Sequence, residues 1–63
     1  MTWEEYCLKK YNDEYKENRT IEDIEFSEEG GIYLHGIGGI SFIGKYKEYS
    51  FKYWEQNIYN WEN

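Results

Sequence analysis

The sequence predicts an α+β fold in the order αβββα, a three-stranded antiparallel meander flanked by an N-terminal and a C-terminal helix. Three observations carry this. Apolar residues recur at four-residue spacing near the start, they alternate with polar ones in the middle, and glycine-rich turn clusters divide the middle into three runs. At 63 residues the chain is expected to form one small domain, residues 1–63.

Thr2, followed three residues later by Glu5, is a capping box that opens a helix at Trp3. Trp3, Cys7, Tyr11 and Tyr15 then mark one helical face, with Leu8 beside them and Tyr6 widening the stripe, so the first helix is expected over 3–17. Ile24 and Phe26 alternate with Asp23 and Glu25, the period of a half-buried strand over 21–26. Ser27-Glu28-Glu29-Gly30-Gly31 reads as a turn. Two β-rich runs follow, expected as strands over 31–37 and 40–46, with Gly38-Gly39 as a two-residue hairpin loop. Phe51, Trp54, Ile58 and Trp61 are spaced by three, four and three, which predicts a second helix over 51–61. Ser50 would cap it, and Tyr49 would staple onto Trp54. Tyr49, Phe51 and Tyr53 also alternate, so 46–54 fits a strand extension as well; the helix is the preferred reading.

This register gives the sheet two faces. Pairing Phe26 with Ile32 sets Ile24 opposite Leu34 and Asp23 opposite His35. A Gly38-Gly39 loop sets Ile37 opposite Ile40, His35 opposite Phe42 and Tyr33 opposite Gly44. One face then holds Ile24, Phe26, Ile32, Leu34, Gly36, Ser41 and Ile43, a core face on which Gly36 and Ser41 would let a helix approach closely. The other holds Asp23, Glu25, Tyr33, His35, Ile37, Ile40 and Phe42. That mixture of aromatic, aliphatic and acidic groups is what protein interfaces use, unless the second helix covers it.

The composition narrows the function. Aromatics make up 22% of residues, too many for a disordered chain. No apolar run approaches the ~18 residues of a membrane span. The start lacks the basic and apolar regions of a signal peptide, and Thr2 stands where myristoylation needs glycine. A cytoplasmic protein with a free thiol is expected. The formal net charge is −6, all of it from residues 1–31, which hold ten acids and four bases. Five acids, Glu22, Asp23, Glu25, Glu28 and Glu29, fall within eight residues. Such a field repels nucleic acid and anionic membranes and attracts basic protein surfaces.

Candidate chemistry is sparse. Gly36-Ile37-Gly38-Gly39-Ile40-Ser41 falls short of a dinucleotide fingerprint, because Ser41 replaces the last glycine and no βαβ unit fits. Ser41 and His35 could form a nucleophile and base, but no nucleophile elbow surrounds Ser41. Cys7 lies on the apolar stripe and reads as a buried residue. The acids at 22–29 do not follow calcium-loop spacing, and one cysteine with one histidine leaves a zinc site short of ligands. No catalysis, cofactor or metal is expected.

In its small size, acidity and aromatic richness the chain resembles small phage-encoded inhibitor proteins, among them anti-restriction and anti-CRISPR proteins. The likeness is one of type and covers no specific motif. It implies a non-enzymatic protein, encoded by a phage or mobile element, that blocks a host or defence protein with a basic surface in the host cytoplasm. Carboxylates placed where phosphates would lie are one route to that block. An antitoxin or immunity protein against a basic toxin, and a structural or regulatory homo-oligomer, are the alternatives. Partner binding is expected through Glu22, Asp23, Glu25, Glu28, Glu29, Tyr33 and His35. A chain this short buries only about 60% of its unfolded surface, so a homodimer is expected through Ile37, Phe42, Trp54 and Trp61.

Overall fold

Thr2 opens the first helix as its spacing implied. Its hydroxyl accepts the Glu5 N–H at 3.2 Å, and the Glu5 carboxylate accepts the Thr2 N–H at 2.9 Å. The computed structural model describes residues 1–59. Helix α1 spans Trp3–Tyr15 and ends two residues before the expected 17, where Lys16 turns left-handed (φ 56°) and its N–H bonds to the Asn12 carbonyl. The Asn12 side chain then holds the outgoing chain, donating to the Arg19 carbonyl at 3.0 Å and accepting the Arg19 N–H at 2.9 Å.

The sheet follows as β1 (Ile24–Phe26), β2 (Gly31–Gly36) and β3 (Gly39–Lys45), antiparallel in the order β1-β2-β3. Strand β1 starts three residues later than expected. The Asp23 carboxylate accepts from both the N–H and the hydroxyl of Thr20, and that local turn takes residues 21–23 out of the sheet. The first hairpin has the expected register, with Ile24 opposite Leu34 and Phe26 opposite Ile32.

The second hairpin does not. Its turn is Ile37-Gly38, which sets Gly36 opposite Gly39, His35 opposite Ile40 and Tyr33 opposite Phe42. Two physical reasons favour this register. It brings the Tyr33 and Phe42 rings together, centroids 5.3 Å apart, where the expected register gave Tyr33 only a glycine. It also places positive φ (117°) on Gly39, which tolerates it, while β-branched Ile37 keeps ordinary geometry. The shift is by two, so the division into faces survives. A bulge at Ile43 then sets Gly44 opposite Ile32.

The core lies between α1 and the inner sheet face. Cys7, Tyr11, Ile24, Phe26, Ile32 and Tyr49 are buried, with Trp3, Tyr6, Leu8, Leu34 and Ile43 packed against them. Gly36 and Ser41 are exposed, because the end of the hairpin projects beyond α1; the expected close helix approach there is absent among the described residues.

After β3 comes a 3₁₀ turn, Lys47–Tyr49, that the sequence did not reveal. Tyr49 does not staple the second helix. It enters the core, its ring 6.0 Å from those of Phe26 and Tyr46. Helix α1 grips this turn from above, with the Trp3 indole donating to the Tyr49 carbonyl at 2.9 Å and the Tyr6 hydroxyl to the Glu48 carbonyl at 2.9 Å. Gly30 makes the turn possible from below. Its φ of 99° suits glycine, and its carbonyl accepts the Tyr46 N–H at 2.9 Å. The second helix begins as expected, with the Ser50 hydroxyl accepting the Tyr53 N–H at 3.1 Å. Helix α2 spans Phe51–Trp54 and widens into a π-helical turn, Glu55–Tyr59. The expected end of this helix, with Trp61, lies outside the described residues. Phe51 packs edge-on against Trp3 at 5.7 Å, so α2 joins the start of α1 rather than covering the outer sheet face.

Candidate functional site

The outer sheet face is assembled by strand alternation. Glu25 points outward between buried Ile24 and Phe26, Tyr33 and His35 project from β2, and Ile40 and Phe42 project from β3. The register lines up Glu25, Tyr33 and Phe42 in one row across the sheet, with His35 and Ile40 in the next. Ile40 and Phe42 are 62% and 61% exposed, and Ile37 at the hairpin tip is fully exposed. The face therefore grades from a carboxylate on β1, through Tyr and His, to bare hydrocarbon on β3. Gly31 leaves room for the Tyr33 side chain, since a Cβ there would sit 3.0 Å from its hydroxyl.

His35 pairs differently from expectation. Its Nε2 lies 3.5 Å from a Glu25 carboxylate oxygen. Asp23 meets His35 only through the backbone, accepting its N–H at 2.9 Å, while the Asp23 carboxylate is occupied by Thr20.

The five acids of residues 22–29 do not form one cluster. Glu22 and Asp23 lie in the turn before β1, Glu25 in its middle, and Glu28 and Glu29 in the turn after it. The stretch from Glu22 to Glu28 spans at most ~20 Å. Glu29 is bound to Lys45 at 3.0 Å, tying its turn to β3. Of the four residues expected at an oligomer interface, Phe42 lies on the outer face and Ile37 at its tip. Trp54 is only 7% exposed and faces inward, against Phe51 and Tyr59, and Trp61 is outside the described residues. Trp54 is therefore no surface anchor. Ser41 and His35 alternate onto opposite faces of the sheet, so they cannot act together.

Sequence reasoning missed one recess. Trp3, Phe51, Trp54 and Tyr59, with Thr2, Glu4, Glu5 and Glu55 near them, line a hollow of about 620 Å³ beside the start of α1. Trp3 and Trp54 were its only signal, and each read as part of a separate helical stripe. The Trp54 indole N–H is buried without a hydrogen-bond partner among the described residues. Cys7 is a free, buried thiol. Burial pushes its thiol up to about 12, and it donates to the Tyr49 carbonyl at 3.3 Å. Among the described residues, no three His, Cys, Asp or Glu side chains gather to hold a metal ion, and no helix is long and apolar enough to cross a membrane. The sequence matches no protein-family model, no curated protein and no solved structure.

Proposed function

We propose that this protein is a small acidic inhibitor, encoded by a phage or mobile element, that acts in the host cytoplasm by binding a host or defence protein directly. One observation carries the reading: half-buried Tyr33 and exposed Ile40 and Phe42 form an aromatic and aliphatic strip on the outer sheet face, bordered by Glu25 and His35 and by acidic turns at both ends of β1. Apolar anchors in a charged frame favour a protein partner, and the sign of the charge favours a basic one. Plain surface binding is preferred over nucleic-acid mimicry. A mimic needs evenly spaced carboxylates, and Asp23, two residues before Glu25 and expected on the same outer face, has its carboxylate turned into the Thr20 hydrogen bonds.

The test is affinity capture from bacterial host lysate at low and high salt. It compares the wild type with a Glu22→Gln, Glu25→Gln, Glu28→Gln triple variant and with Tyr33→Ala. The triple variant is expected to capture the partner more slowly and with less salt dependence, and Tyr33→Ala to release it faster. Equal capture by all three proteins would refute this surface as the binding site.

A further inference from the structure

The charges of this chain are sorted around its sheet, and the sorting leaves one edge unguarded. Natural sheets protect free edges with charge, proline or short strands. Strand β1 is guarded in this way: it has three residues, with Glu25 at its centre, Glu22 and Asp23 before it and Glu28 and Glu29 after it. Strand β3 is the opposite. It runs for seven residues, Gly39–Lys45, without an acid or a proline, and its one charge, Lys45, is neutralised by Glu29 at 3.0 Å. Its outward side chains are Ile40 and Phe42, both more than half exposed.

We propose that β3 pairs antiparallel with β3 of a second copy of this chain, centred on Ser41, to form a continuous six-stranded sheet. Self-complementarity selects the second copy: about Ser41 the edge offers Ile40 and Phe42 to an identical edge. Each molecule carries a formal net charge of −6, so two copies repel through most of their surface, and β3 is where they meet without setting carboxylate against carboxylate. The register follows from side-chain alternation. Pairing about Ser41 keeps the outer faces on one side and sets Ile40 of each copy opposite Phe42 of the other. This makes two identical cross-strand pairs of a β-branched and an aromatic residue, which are favourable sheet neighbours. On the inner side it sets the two small Ser41 side chains together. It also brings the tip of each hairpin, Ile37, alongside Lys45 of the other copy, where the lysine stem can cover it. The two-fold axis is isologous and closes the assembly at a dimer. The Glu25, Tyr33 and His35 part of the outer face stays open in the dimer, while Ile40 and Phe42, shared with the proposed partner strip, are packed only along the edge.

Light scattering across low to high micromolar concentration is expected to show the mass rising from 7.8 kDa toward twice that value. Phe42→Lys, and independently Ile40→Lys, should hold the mass at the monomer value while circular dichroism stays native. Register is read by Ser41→Cys. Directly opposed residues place Cα atoms about 4.5–5.5 Å apart, within disulfide reach. With diamide as oxidant this variant should cross-link at least about tenfold faster than an exposed control, Gln56→Cys. Cys7 is buried and does not compete. A wild-type mass that stays at the monomer value, a Phe42→Lys dimer, or a Ser41→Cys cross-linking rate equal to the control would each overturn the proposal.

Discussion

Replacing Tyr49 by Phe removes one oxygen from the centre of this fold and leaves the rest of the residue's work in place. The ring still stacks near Phe26 and Tyr46, and the backbone carbonyl still accepts from Trp3 and Cys7. What is lost is the hydroxyl bond to the Glu14 carboxylate at 2.9 Å. Hydrogen bonds to charged groups are worth about 1.5–3 kcal/mol. Glu14 is 51% exposed and also pairs with Lys10, so water restores part of the loss, and the expected cost at neutral pH is about 1–1.5 kcal/mol. In a domain of this size that lowers Tm by about 5–10 °C. The cost depends on pH with a definite sign. The Tyr49 hydroxyl, and after it Lys10, holds the Glu14 carboxyl below its ordinary value. A depressed folded-state value stabilises above the unfolded value near 4.3 and fades as pH falls through the folded one. Urea unfolding followed by tryptophan fluorescence, at pH 7 and below pH 3, should therefore show a smaller gap between Tyr49→Phe and wild type in acid than at neutral pH. A variant as stable as wild type at pH 7, or a gap of equal size at both pH values, would refute the Tyr49–Glu14 account.

Three further outcomes are expected. Gly30→Ala should cost well over the ~1–2 kcal/mol of a left-handed residue, because the added Cβ also collides with the Tyr46 carbonyl, whereas Gly38→Ala, with open space around it, should stay within about 0.5 kcal/mol; urea midpoints compare them. Thr2→Ala, which removes the capping box, should cost about 1 kcal/mol and lower helicity by circular dichroism. Stability should fall at alkaline pH: burial raises Cys7 and Tyr6 each to about 12 and pushes Tyr49 up as well, so their contribution is complete below the unfolded values and is lost as pH rises. For Cys7 alone the decline starts near pH 8.5 at up to about 1.4 kcal/mol per pH unit, and unfolding midpoints that stay flat from pH 7 to 11 would contradict it.

Where one local pattern decided a segment, the sequence was a sufficient guide. The Thr2–Glu5 box, the Cys7–Tyr11 stripe, the Ile24 and Phe26 alternation and the Ser50 cap all stand where they were expected. Misreadings arose where two patterns competed. Alternation alone ran β1 back to residue 21, but Thr20 and Asp23 form a side-chain turn that period-two reasoning does not register. Gly38-Gly39 is a stronger turn signal than Ile37-Gly38, yet the contact between Tyr33 and Phe42 outweighs it. Tyr49 read as a helix staple because its burial depends on Gly30, nineteen residues earlier, opening space beneath the 3₁₀ turn. The outer face was legible because a two-residue shift preserves alternation. The pairing of His35 with Glu25 was not, since it needs to be known that Thr20 has already engaged Asp23.

The acidity of this chain is largely consumed by its own architecture. Glu5 caps α1, Glu14 holds Tyr49, Glu17 accepts from Tyr11 and Arg19, Asp13 pairs with Lys9, Asp23 with Thr20, Glu25 with His35 and Glu29 with Lys45. A chain of 63 residues has little core, and polar side chains pin connections that a larger domain would pack with hydrocarbon. Two of the eight tyrosines, Tyr11 and Tyr49, bury their rings while their hydroxyls reach a carboxylate, which explains how acidic and aromatic richness occur together. From the run at 22–29 only Glu22 and Glu28 make no side-chain bond among the described residues. Recognition then divides between two kinds of group. The carboxylates supply a field that speeds encounter with a basic surface, and Tyr33, Ile40 and Phe42 supply the desolvated area that sets how long a complex lasts. Neutralising the acids should therefore slow association with little change in dissociation, and truncating the ring or aliphatic groups should do the reverse.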